Sequence, residues 1–196
     1  MSDLLILDLG YGNIRSVALA LERLGATAIL SSDPAEVEHA QRVVLPGVGA
    51  AGAAMKRLRQ SGLDDAVRRR SRPTLGICLG MQLMFEESDE DGGTALLGLL
   101  PGSVTALRPS PGFPVPHMGW SAVETGSTEI GIDPGSYLYF AHSFACPDGP
   151  ATVARATYGG ASIPAAIRSG AWWGAQFHPE RSSVAGSRFL QAFLAA

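Results

Sequence analysis

Cysteine is nearly absent from this chain, with two in 196 residues, Cys78 and Cys146. That excludes a disulfide scaffold, and without any C-x-x-C or H-x-x-x-H spacing no metal site suggests itself. Excess positive charge is also missing. Fifteen Lys and Arg stand against eighteen Asp and Glu, a formal net charge of −3 with a pI near 5.8. Nothing electrostatic therefore points to nucleic acid or an anionic membrane surface. No apolar run approaches the roughly 18 residues needed to cross a bilayer. The opening MSDLLILDLG lacks the basic stretch of a signal peptide, so a cytoplasmic location is expected. Repeats and low-complexity linkers are lacking too. With 46% hydrophobic residues, positions 1–196 are expected to form one domain with a sizeable core. The one basic cluster, RRRSR at Arg68–Arg72, reads as the solvated C-terminal turn of a helix, where cations suit the dipole.

What is present is an alternation of patterns. The apolar runs LLILDL, ATAIL, RVVLP and PTLGIC are separated by segments of helical spacing, which implies a parallel sheet covered on both faces. The first helix, IRSVALALERLG, has Asn13 at its cap position and Gly25 as its stop. From about residue 103 onward SVTALR, GWSAVE, YLYFAHSF, ATVARATYG, SIPAAIRSG and AWWGAQFH read as short strands punctuated by Gly and Pro, better suited to hairpins. The closing helix, SVAGSRFLQAFLAA, puts Val184, Phe189, Leu190 and Phe193 on one apolar face.

Cys78 lies in TLGICLGMQLMFEES, between Gly76 and Gly80. An apolar strand runs into it, and MQLMFEES behind it has helical spacing. G-x-C-x-G is the thiol counterpart of the G-x-S-x-G elbow, where small neighbours relieve a sharp strand-to-helix turn. A helix starting after the sulfur would favour the reactive thiolate. PGVGAAG, Pro46–Gly52, also follows an apolar strand, so both loops belong at the carboxyl edge of the sheet, where open α/β folds bind ligands. Its glycines can bring backbone N–H groups close to an oxyanion. Cys146, in the loop ACPDG, reads as incidental.

A base is supplied by GAQFHPERS. His178 is followed by Pro179 and, two residues on, by Glu180. Imidazole can take a thiol proton and return it to a leaving amine while a carboxylate on its other nitrogen fixes the tautomer, which makes Cys, His and Glu an acyl-transfer triad. His117 in VPVPHMGW and His142 in YFAHSF compete for the role but have no acidic neighbour in sequence. Each reads as a substrate, partner or structural residue, and His39 as a surface residue.

Together GICLGMQ and FHPE resemble the class I, triad-type glutamine amidotransferases. DLGYGNIRSV, PGVGAAGAAM, PHMGW, YFAHSF and FHPERS, in this order, narrow the likeness to the glutaminase subunits of imidazole glycerol phosphate synthase. The resemblance implies a flavodoxin-like, three-layer α/β/α fold with a mostly parallel central sheet and antiparallel strands in the second half. It implies hydrolysis of glutamine to glutamate and ammonia, no cofactor, and a separate (β/α)8-barrel cyclase subunit that receives the ammonia during histidine biosynthesis. Carried over by position, Cys78 is the nucleophile, His178 the acid and base, and Glu180 its orienter. Gly49, Gln82, His142, Ser143 and Phe144 line the glutamine pocket, Val48 and Leu79 offer N–H groups to the oxyanion, and Asn13 and Trp120 lie near the partner. Ser121 and Ser183 depart from the Asn and Gln usual at those places. Other thiol hydrolases, an amidotransferase feeding another acceptor, and a non-catalytic subunit of the same fold are the competing readings; the intact Cys78, His178 and Glu180 argue against the last.

Overall fold

Leu4, Leu5, Ile6 and Leu7 are all buried, and they alternate between two hydrophobic clusters, Leu4 and Ile6 in one, Leu5 and Leu7 in the other. A strand apolar on both sides is what a sheet covered on both faces requires. The computed structural model describes residues 3–10, 13–125 and 128–196; Met1 and Ser2, and Tyr11 and Gly12 of the opening motif, lie outside them. The order in the first half is β1 (Leu4–Leu7), α1 (Ile14–Glu22), β2 (Ile29–Ser31), α2 (Pro34–His39), β3 (Arg42–Leu45), α3 (Ala51–Ser61), α4 (Leu63–Arg68), β4 (Thr74–Ile77) and α5 (Leu79–Gln82). Then come β5 (Glu87–Ser88), β6 (Thr94–Ala95), β7 (Ser103–Ala106), β8 (His117–Thr125), β9 (Tyr137–His142), β10 (Phe144–Ala145), β11 (Thr152–Tyr158), β12 (Ala161–Ser169), β13 (Trp172–Ala175) and α6 (Ser183–Leu194).

The main sheet runs β2-β1-β3-β4-β13-β12-β11-β8-β9. Its first five strands are parallel and the rest antiparallel. Helices α1 and α6 pack one face through Val17, Leu21, Phe189, Leu190 and Phe193. Val37 of α2, Met55 and Leu58 of α3 and Val67 of α4 pack the other. This is the flavodoxin-like three-layer arrangement, with a small second sheet, β10-β7-β5-β6, beside it. One departure from the hairpin expectation positions the site. Strand β13 inserts parallel to β4, with Ala175 opposite Ile77. The two strands therefore end level, and the residues that follow them leave the sheet at one edge.

Several sequence expectations change in three dimensions. The helical stretch after Cys78 is a single turn, because the carbonyls of Leu83, Met84 and Phe85 accept bonds from the N–H groups of Leu97 to Leu100 instead of continuing a helix. Asn13 stands at the cap of α1, but only its carbonyl is used and its side chain makes no capping bond. YLYFAHSF breaks at Ser143 into β9 and β10, which belong to different sheets. Val184 is 63% exposed and not on the apolar face of α6. The buried position in that first turn belongs to Gly186, where a Cβ would stand 2.1 Å from the Pro179 carbonyl oxygen. The RRRSR cluster is not simply solvated. Arg70 is buried and donates to Thr74 Oγ1 and to the carbonyls of Val37, Ala40 and Pro73, closing the end of α2. Burial, and then Arg72 nearby, pull its guanidinium down to about 10.

Candidate active site

Cys78 closes β4 with φ 53° and ψ −111°, on the side of backbone space that L-residues avoid. Its N–H donates to the Ala175 carbonyl at 2.7 Å, tying the elbow to β13. The flanking glycines are sterically required. A Cβ on Gly76 would lie 2.4 Å from the Gly80 oxygen, and one on Gly80 would lie 1.9 Å from the Leu45 oxygen. Gly47 is packed as closely, with a Cβ there 2.5 Å from the Gly80 nitrogen, so the PGVG loop rests directly on the elbow.

His178 leaves β13 three residues beyond its end, and its N–H is held by the Tyr139 carbonyl at 2.8 Å. Its Nδ1 bonds Glu180 Oε1 at 2.9 Å, and the Glu180 side chain is only 1% exposed. Glu180 Oε2 is buried without a partner among the described residues. Burial opposes charge on the His178 ring. Hydrogen bonds to Cys78 and to Glu180, with the negative charge of each, outweigh it and raise His178 from 6.5 to about 10. The imidazole is thus held as an imidazolium at neutral pH, with the sulfur on one side and the carboxylate on the other.

These groups face a cavity of about 400 Å³ lined by Cys78, His178, Val48, Gly49, Leu79, Gln82, His142, Ser143, Phe144 and Asn13. Every residue assigned above to the nucleophile, base, glutamine pocket or oxyanion is therefore on one wall or another. Leu79 begins α5, so its N–H has no intrahelical partner. Glu180 sits behind His178, and Trp120 lies outside the cavity, 52% exposed on β8 with its ring edge-on to Tyr139.

His117 and His142 are excluded as bases by their bonds. His142 Nδ1 meets the Phe144 carbonyl at 2.8 Å and must donate, which leaves its Nε2 to accept from His117 Nδ1 at 3.1 Å. His117 Nε2 then accepts from Ser121 Oγ at 2.9 Å. Both rings are committed, and burial, the largest cause in each, pushes both down to about 4. This predicts an acid-sensitive fold. Between pH 6.5 and about 4 the unfolded chain binds protons that the folded rings refuse, so the stability is complete above 6.5 and lost as pH falls, by about 3 kcal/mol per ring. His178 acts in another window, since its contribution is complete below 6.5 and is lost only as pH rises toward about 10. Urea unfolding at pH 7 and pH 4.5 checks this; equal stabilities would refute the neutral pair.

Three polar residues of the site escaped the sequence reading. Glu90 and Arg181 line the cavity; Glu90 accepts from the Ala51 N–H at the start of α3 at 2.7 Å, and Arg181 lies 4.2 Å over the Tyr139 ring. Gln176 is fully buried and bonds both Gln82 and the Cys78 sulfur. The one signal for Gln176 was a polar residue inside the apolar GAQFH. Among the described residues no cluster of His, Cys, Asp and Glu fits a metal, and no helix is long and apolar enough to cross a membrane.

Residues 5–196 match the family described as glutamine amidotransferase class-I. Imidazole glycerol phosphate synthase subunit HisH of Vibrio cholerae is 46% identical, with 98% of each chain covered. The protein of the same name from Xanthomonas axonopodis pv. citri is also 46% identical, over 99% of this chain and 98% of that one, and the one from Yersinia pestis is 43% identical over 98% of each. Among solved structures, one titled as a glutamine amidotransferase superposes with a TM-score of 0.79 at 23% identity, covering 99% of this chain and 98% of its own. A glutamine amidotransferase from Thermotoga maritima gives 0.56 at 20%, covering 98% and 82%.

Proposed function

Because this chain belongs to the class-I glutamine amidotransferases and shares 43–46% of its residues with HisH subunits over nearly its whole length, we propose that it is the glutaminase subunit of an imidazole glycerol phosphate synthase, working through Cys78, His178 and Glu180. One observation carries the reading. Two parallel strands ending level deliver a strained cysteine and a carboxylate-bound histidine to one cavity.

The chemistry follows from these positions. The Cys78 sulfur, its proton held by His178, attacks the side-chain amide carbon of glutamine, and the carbonyl oxygen becomes an oxyanion for which the N–H of Leu79 and, once turned toward it, that of Val48 are the donors. His178 gives its proton to the departing nitrogen, the C–N bond breaks, and ammonia leaves a thioester on Cys78. Water then attacks the thioester as His178 takes one of its protons, and release of glutamate restores the sulfur and the imidazolium. One glutamine and one water become one glutamate, one ammonia and one proton. Glu90 gives the cavity a carboxylate able to receive the substrate ammonium group.

Ammonia in neutral water is mostly ammonium and is no nucleophile, so the product needs a dry path to an acceptor. The cavity wall continues onto exposed Met118 and Asn13, and Trp120 lies two residues along β8 on the same side as Met118. An apolar rim of this kind suits a partner. The partner is a (β/α)8-barrel cyclase that uses the ammonia in histidine biosynthesis, in the cytoplasm, and the glycine-flanked Val48 peptide turns its N–H to the oxyanion when that partner binds. The test is ammonia release from glutamine by the chain alone and with the cognate cyclase and its ribonucleotide substrate. Stimulation of about 100-fold or more is expected, the size of effect that completing an oxyanion hole produces. Fast hydrolysis unchanged by the cyclase would leave the triad and remove the partner.

A further inference from the structure

Gln176 has no place in the steps above, yet it is wholly buried and points at the nucleophile. Phe177 beside it packs into the core on the α1 and α6 side of the sheet, while the Gln176 side chain reaches Cys78 and Gln82. Its Nε2 lies 3.9 Å from Cys78 Sγ, within reach of a long N–H···S contact, and its Oε1 lies 3.1 Å from Gln82 Nε2.

Which end of the Gln176 amide faces the sulfur is decided three groups away. The Phe144 carbonyl can only accept. It takes a bond from His142 Nδ1 at 2.8 Å and another from Gln82 Nε2 at 2.9 Å. That fixes Gln82 with its NH2 toward Phe144, and the second hydrogen of the same NH2 reaches Gln176 Oε1. With its oxygen so engaged, Gln176 has only its NH2 left for Cys78. A flipped Gln176 would face NH2 against NH2 at Gln82 and would lose both contacts. The amides are therefore aligned head to tail, from the backbone of the glutamine pocket to the nucleophile.

We propose that Gln176 is a positioning residue for Cys78, whose amide N–H holds the sulfur in its attacking position and stabilises it in the charged form, with Gln82 fixing the direction of that donor. The inference rests on the glutaminase reading and adds to it a donor besides His178. An N–H donor to an anion strengthens as charge develops and is worth about twice a neutral bond. Loss of the donor, with the amide's other bond to Gln82, makes the sulfur harder to ionise and misplaces it. The other charged or titratable groups around Cys78 are His178 with Glu180, His142, buried Cys146, and Glu90 and Arg181 on the cavity wall.

The test uses two variants of nearly equal size. Gln176→Met removes both polar ends, and Gln176→Glu keeps an acceptor for Gln82 while turning an acceptor toward the sulfur. Each is scored by the pH profile of iodoacetamide labelling at Cys78, which needs no glutamine, and by kcat and KM with the partner present; far-ultraviolet circular dichroism establishes that each is folded. The labelling profile is expected to move to higher pH by about one unit for Met and further for Glu, with kcat falling about tenfold and more than tenfold respectively, and KM changing less than about threefold. Labelling profiles identical to the wild type in both folded variants would overturn the inference. So would equal effects of Met and Glu confined to KM, the mark of a packing role. A wild-type chain that is labelled at Cys78 but releases no ammonia even with the partner would remove the glutaminase reading, while the labelling profiles would still decide whether Gln176 acts on the sulfur.

Discussion

Cys78→Ala is expected to reduce ammonia release from glutamine by about 100,000-fold or more, because removing a nucleophile leaves only binding and the oxyanion donors to act on the amide. The substitution removes one sulfur from a buried elbow already held by the Ala175 carbonyl and by glycines on three sides. Alanine at φ 53° is no worse placed than cysteine, so stability should change by less than about 1 kcal/mol. The partner's chemistry does not pass through this sulfur. Synthesis by the complex from ammonium salts should therefore persist at alkaline pH, where free ammonia is available. Retained use of glutamine by the variant would remove Cys78 from the mechanism, and loss of the ammonia-dependent reaction would mean that the substitution damages the complex itself.

The grouping of Cys78, His178 and Glu180 at one cavity was legible in the sequence because its signals are local. Gly76 and Gly80 bracket Cys78 at the spacing a tight elbow needs, and Glu180 follows His178 closely enough to meet its Nδ1. The parallel first half was legible for the same reason, from apolar runs set between helical patterns. Gln176 was not, since its meaning depends on Gln82, 94 positions away, and on Cys78, 98 positions away. No pattern near residue 176 encodes those contacts.

The local misreadings share one cause, competition from distant backbone. MQLMFEES has helical spacing, but residues 97–100 capture the carbonyls that would continue the helix. Arg70 looks like a solvated cation until the end of α2 places its carbonyls around the guanidinium. Val184 fits an apolar stripe on paper, yet the approach of Pro179 gives the buried place to Gly186. In each case tertiary contact decided between two locally reasonable outcomes.

His178→Asn should be nearly as damaging as Cys78→Ala, about 10,000-fold or more, because nucleophile and base act as a unit and removing either disables both. Glu180→Gln should cost less and leave partial activity, since the amide oxygen can still accept the Nδ1 proton while the charge is lost. The amide then brings a cost of its own. Its NH2 takes the place of Oε2, a buried site with no partner among the described residues, so the variant should also lose about 1–3 kcal/mol of stability. The split between the two roles is read by titration of the His178 ring. In the wild type burial works against the charge and is outweighed by bonds to Cys78 and Glu180, giving a midpoint near 10. In Glu180→Gln one of the two stabilising partners is neutral, so the midpoint must fall and the window of imidazolium at working pH must narrow. A midpoint that stays where it was, in a variant as inactive as His178→Asn, would mean that Glu180 serves the fold of the His-Pro-Glu turn and not the charge on its histidine.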